Sequence, residues 1–118
     1  MHQLDSEALA HRAIDILSDR QAGDIALLDI SRVVTFADYF VIATATSPLQ
    51  FRAIIEQLQK ELKLEGAEMR GVEGTPESGW VLLDFGDVIV HLFSPQQRAY
   101  YRLEELWSRS APIVRFTS

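Results

Sequence analysis

The stretch 79–95, GWVLLDFGDVIVHLFSP, constrains the fold more than any other part of the chain. Two apolar runs rich in valine, isoleucine and phenylalanine meet at Gly86-Asp87, a dipeptide suited to a two-residue hairpin turn. With that loop Phe85 lies opposite Val88, and Trp80 opposite Phe93. Strand alternation then puts Val81, Leu83, Phe85, Val88, Val90 and Leu92 on one wholly apolar face, the predicted core face. The other face carries Trp80, Leu82, Asp84, Ile89, His91 and Phe93. Such a mixture is either covered by a helix with polar partners or left open for recognition. Asp84 falls diagonal to His91, about 7–8 Å away at Cα, and a polar pair between them is expected.

The remaining elements follow from local signals. Asp5 or Ser6 can cap a helix running to about Asp19, with Leu9, Ala13, Ile16 and Leu17 at helical spacing. Ile25 to Ile30 and Tyr39 to Ala45 read as strands buried on both faces. At Ser47-Pro-Leu-Gln50 a hydroxyl cap, a proline at the first helical position and a glutamine three residues after the cap form a capping box. The helix it opens should bury Phe51, Ile55, Leu58 and Leu62 and stop at Gly66. AEMRGVEG reads as a weaker strand and GTPESG as a turn-rich loop. Ser94-Pro-Gln-Gln97 repeats the capping chemistry and opens a third helix to about Ser108, on which Tyr100, Leu103 and Trp107 form a stripe and Tyr101 falls outside it. The predicted fold is a single α/β domain over 1–118, ordered α-β-β-α-β-β-β-α, with a mixed five-stranded sheet flanked by helices and an irregular tail over 110–118.

Bulk properties narrow the function classes. With 118 residues and 47% apolar content the chain can bury a core without cross-links. It contains no cysteine, which removes disulfides, thiolate zinc sites and cysteine nucleophiles. Eleven basic against seventeen acidic residues give a formal charge of −6, the wrong sign for coating phosphate backbones. The first residues carry acids and no cationic start to an apolar run, so neither a signal nor a transit peptide is expected. No run approaches the roughly 20 apolar residues of a membrane helix.

Catalytic signals are weak. An Asp84/His91 couple could orient an imidazole, but no third partner can be named, and structural pairing is the favoured reading. His2, His11 and His91 show no metal-ligand spacing. Neither G-x-G-x-x-G nor G-x-x-x-x-G-K-[ST] occurs. The turn Thr44-Ala45-Thr46-Ser47 could hold an anion at a helix start, although an ordinary capped turn accounts for it.

In order along the chain, LLDISRVVTFADYFVIATATS, RGVEG, GWVLLDFGDVIVHLFSPQQRAYYRLEELW and the following AP resemble the ribosomal silencing factor family, also called the Iojap family. The likeness runs from about Ala8 to Pro112. It implies a nucleotidyltransferase-like core and a cytoplasmic translation repressor that binds large-subunit ribosomal protein fourteen and sterically blocks joining of the subunits. The implied partner is a protein, with little direct nucleic-acid contact, no membrane, no metal and no cofactor. Its acidity suits a basic ribosomal protein. Within the matching motifs the candidate contact residues, or their immediate support, are Trp80, Asp84, His91, Phe93, Tyr100, Tyr101, Glu104 and Trp107, with Arg70 as an addition. Trp80 and Tyr101 are the candidate aromatic anchors, and Asp84 and Glu104 the candidate partners of basic residues. Nucleotidyl transfer would need paired metal-binding carboxylates, and no D-x-D occurs in the chain, so a non-enzymatic protein is expected. Ala45 stands where many family members have glycine. Large-subunit assembly is the rival role, and the mixed hairpin face could also support a homodimer.

Overall fold

The computed structural model describes residues 5–107 and 113–116. In chain order the elements are α1 (Ser6–Asp19), β1 (Gly23–Asp29), β2 (Tyr39–Thr44), α2 (Pro48–Leu64), β3 (Gly71–Thr75), a single 3-10 turn (Pro76–Ser78), β4 (Trp80–Asp84), β5 (Val88–Phe93), α3 (Pro95–Tyr101), α4 (Leu103–Trp107) and β6 (Ile113–Phe116). The sheet runs β3-β4-β5-β2-β1-β6 and is mixed: β2 and β5 are parallel and all other neighbours antiparallel. The expected five strands are therefore six. Ile113–Phe116, expected as irregular tail, pairs with β1 from Ile25↔Phe116 to Leu28↔Ile113.

The β4–β5 hairpin has the expected register, from Trp80↔Phe93 through Leu82↔His91 to Asp84↔Ile89. Gly86 takes φ 89°, a left-handed conformation in which glycine carries no Cβ penalty. Val81, Leu83, Phe85, Val88, Val90 and Leu92 are all buried in the larger core with residues of α1 and α2. On the opposite face a smaller cluster joins Ala26, Leu28, Ile30, Ala37, Phe40, Ile42, Ile89 and Phe93, with Trp80, Leu82, Leu103 and Ile113 partly buried against it. The sheet thus has one face closed by two long helices and one covered by the β1–β2 connection, through Val34 and Ala37, and by Leu103 of α4.

The two long helices are fastened to each other at both ends. Asp5 caps α1 by accepting from the Ala8 N–H at 2.7 Å. Ser47 caps α2 by accepting from the Gln50 N–H at 3.1 Å, but the Gln50 Oε1 turns to the Thr46 N–H rather than to Ser47 as a capping box requires. Its Nε2 then donates to the carbonyls of Arg20 and Gln21, joining the end of α1 to the start of α2. At the other end Arg12 spans Glu61 and Glu65 at 3.0 and 2.6 Å. The buried stripe of α2 is Phe51, Ile54, Leu58 and Leu62, with Ile55 only half-buried. The stripe is rotated from the expected one because the helix lies against the sheet on its Ile54 side.

The region after β5 departs most from expectation. Instead of one helix to about Ser108, α3 ends at Tyr101 and Arg102 adopts φ 50°, ψ 49° before α4 begins. A left-handed conformation strains an L-residue by about 1–2 kcal/mol, so surrounding contacts must hold it. The break undoes the expected stripe: Tyr100 is 77% exposed, while Tyr101 turns onto Trp80.

Candidate docking site

Trp80 opens β4 immediately after Gly79, whose φ of 81° and close approach to Ser94 leave no room for a side chain. A Cβ there would lie 2.8 Å from Ser94 Oγ and 2.8 Å from Gln97 Cγ, so glycine lets the hairpin start pack against the start of α3. The Ser94 N–H donates to the Gly79 carbonyl at 2.8 Å, which completes the junction. As a result the indole stacks on its cross-strand neighbour Phe93, centroids 4.8 Å apart, and meets Tyr101 from the end of α3 at 4.6 Å with the ring planes tilted by 50°. Tyr100 meets Tyr101 edge-on at 4.9 Å. On the other side Phe40 meets the His91 ring edge-on at 4.7 Å, and Phe36, exposed, lies 6.4 Å from Phe40.

His91 is 4% exposed and is not partnered by Asp84. Its Nδ1 accepts from the Trp80 indole N–H at 3.2 Å, which places the proton of the neutral ring on Nε2; that nitrogen is buried and has no hydrogen-bond partner among the described residues. Burial pushes the His91 pKa down to about 4, because a charged imidazolium here would be desolvated without an acceptor. The expected Asp84–His91 pair is therefore corrected. Asp84 spends its Oδ1 on the Gly86 N–H, 2.8 Å away and two residues on, a local bond that forms with the turn itself. His91 instead fixes the plane of Trp80.

The candidate residues separate into three groups. Trp80, His91, Phe93, Tyr100 and Tyr101 come together in the ring cluster; Phe93 is completely buried and underlies Trp80. Asp84 and Arg70 sit at the far end of the hairpin: the Arg70 N–H donates to the Asp84 carbonyl at 2.7 Å, and its guanidinium lies over Gly86. Glu104 is held inside the protein. Arg98 grips both its oxygens, Nε to Oε1 at 3.0 Å and Nη2 to Oε2 at 2.7 Å, and Arg115 Nη1 adds a 3.1 Å contact. Burial opposes the ionised form of Glu104, but the hydrogen bonds and charges of Arg98 and Arg115 outweigh it and hold the carboxyl below its ordinary pKa. With its oxygens already occupied, Glu104 supports the site from beneath. The side chain of Trp107 lies outside the described residues.

Beside Trp80 and Tyr101 runs an open groove of about 390 Å³, bordered by Glu73 and Gly74 of β3 and by Ser78, Leu82 and Gln97. β3 is exposed along its whole length. Glu73, Gln97, Phe36, Phe40 and Arg98 were not among the residues singled out from sequence. The hairpin register could have indicated one of them, since Glu73 stands opposite Leu82 once β3 pairs with β4. The arrangement offers flat aromatic surface, amide and hydroxyl groups and one carboxylate, a set suited to recognition of a protein surface.

Comparison with known proteins decides the family. The model described as "Ribosomal silencing factor during starvation" matches residues 3–117. The chain belongs to this family. A ribosomal silencing factor from Halalkalibacterium halodurans is 36% identical over 111 residues, 94% of each chain. A solved Chromobacterium violaceum protein superposes with a TM-score of 0.84 at 35% identity, covering 89% of this chain and 88% of that one. The mouse protein named "Mitochondrial assembly of ribosomal large subunit protein 1" is 32% identical over 98 residues, 80% of this chain and 43% of its own length. Ribosomal silencing factors thus share both the sequence and the fold described here. No helix among the described residues is long and apolar enough to cross a membrane.

Proposed function

We propose that this silencing-factor chain docks on the large ribosomal subunit through its Trp80–Tyr101 face, with large-subunit ribosomal protein fourteen as the partner. Occupying that surface keeps the small subunit from joining and so represses translation in the cytoplasm. The observation that carries the reading is Tyr101, which remains 48% exposed while its ring packs at a tilt against Trp80, so that an aromatic pair stands ready beside a groove rimmed by Glu73. Aromatic anchors with an acidic rim suit a basic protein surface, and a chain of charge −6 is repelled by bare ribosomal RNA. The mechanism is exclusion and needs no bond made or broken. We read the mixed sheet as a nucleotidyltransferase-like scaffold that serves here to present the docking face.

The test is subunit joining followed by sedimentation, with purified subunits and stoichiometric protein. The chain should migrate with the large subunit and reduce joined ribosomes. Undiminished joining without co-migration would refute the proposal. Large-subunit assembly is the second reading, favoured by the name of the mouse relative. It predicts large-subunit precursors accumulating in a deletion strain even under full nutrition, whereas silencing predicts excess translation on starvation. A homodimer through the same aromatic face would compete with docking, and light scattering of the free protein would reveal it.

A further inference from the structure

The break at Arg102 and the grip of Arg98 on Glu104 depend on each other. On an unbroken helix Glu104 would stand six residues beyond Arg98, about 9 Å further along the axis and about 240° around it, out of reach of a fork. With Arg102 left-handed, α4 folds back and both carboxylate oxygens meet Arg98. The third guanidinium nitrogen, Nη1, donates to Thr44 Oγ1 at 2.9 Å, and Thr44 is the parallel-strand neighbour of Phe93, on which Trp80 stacks. Arg98 is nearly buried, its side chain 11% exposed, and touches no part of the groove. Tyr101 lies between Arg98 and the break, at the last position of α3.

We propose that Arg98 is a positioning residue for large-subunit docking: by tying β2, α3 and α4 together across the Arg102 break, it holds Tyr101 against Trp80 in the orientation the partner meets. This rests on the docking reading above. Among the described residues its side-chain partners are Thr44 and Glu104, both within this chain, so its effect on a partner passes through the Trp80–Tyr101 pair that it supports.

The experiment is a double-variant cycle in the full chain. Arg98→Lys keeps the charge and loses the planar fork. Binding to purified large subunits should weaken about tenfold, and Arg98→Lys combined with Tyr101→Ala should bind no worse than Tyr101→Ala alone, a non-additivity that a purely structural role does not produce. In 5-fluorotryptophan-labelled protein the Trp80 fluorine resonance, assigned with Trp80→Phe, should move in Arg98→Lys towards its position in Tyr101→Ala. Far-UV circular dichroism checks the fold, and if Arg98→Lys fails it, Thr44→Val, which removes only the tether to β2, carries the same cycle. Parent-like binding by Arg98→Lys, or additive losses, would overturn the inference while Trp80→Ala and Tyr101→Ala still weaken docking. Should those two bind like the parent, the docking reading falls, and this inference with it.

Discussion

The buried imidazole of His91 makes the stability of this protein depend on pH in a way that can be worked through from its surroundings. Its pKa is pushed down from 6.5 to about 4 in the folded chain. Below pH 6.5 the unfolded chain takes up a proton that the folded chain refuses, so acidification favours unfolding. The contribution is intact above pH 6.5, drains as the pH falls towards 4 and levels off beneath that. A gap of about 2.5 units corresponds to about 3 kcal/mol in full, of which about 2 kcal/mol is already lost at pH 5. His91→Gln removes the titration and keeps an oxygen able to accept from the Trp80 indole. Both proteins carry the same carboxylates and the same other histidines, so those effects cancel in the difference. Urea unfolding of parent and His91→Gln at steps from pH 8 to pH 5 should show the parent losing about 2 kcal/mol more than the variant. If the two stabilities stay parallel within about 0.5 kcal/mol, His91 is titrating normally and the burial of its imidazole described above is wrong.

Other expectations follow from single contacts. Trp80→Ala and Tyr101→Ala should each weaken large-subunit binding by about 2 kcal/mol, read by co-sedimentation at graded protein concentration, with the fold retained. Glu104→Gln leaves the Arg98 guanidinium buried without its counter-charge and should cost about 3 kcal/mol in denaturant unfolding at neutral pH; a loss under about 1 kcal/mol would mean water reaches the pair. Gly79→Ala forces a side chain into a left-handed position against Ser94 Oγ, and its unfolding midpoint should fall by an amount equivalent to at least about 1 kcal/mol. Val114→Pro removes a donor from β6 opposite Leu27 and tests the sixth strand: amide exchange should speed up in β1 and leave β4 and β5 unchanged.

What was legible and what was not divides along the range of the interactions. The hairpin register was readable because a two-residue turn with glycine allows one pairing, and alternation then assigns every side chain to a face. Asp84 misled because its diagonal position next to His91 is geometrically reasonable; the carboxylate is satisfied two residues away at Gly86, and the imidazole, once buried, is served by an indole instead. The strand at Ile113–Phe116 is short, and its partner β1 lies near the other end of the chain. Nothing local distinguishes such a segment from a tail.

In the proposed docking site, the aromatic residues could be named from their motifs, but their packing could not. Tyr100 and Tyr101 are adjacent and chemically alike, and helical periodicity assigned Tyr100 to the packed stripe. The fork between Arg98 and Glu104 reverses this by stopping the helix at Arg102, so that Tyr101 meets Trp80 and Tyr100 faces solvent. Likewise Glu104, a candidate partner of basic residues on a docking protein when read from its motif, is closed on by two arginines from different elements of its own chain. The sequence by itself determined the order of elements as far as the start of α3, the core face of the hairpin and the family, since these rest on periodicity, turn chemistry and motifs written within a few residues of each other. Only the tertiary structure decided which polar groups pair and which tyrosine is presented, because burial sets the cost of an unpaired charge and burial is a property of the assembled fold.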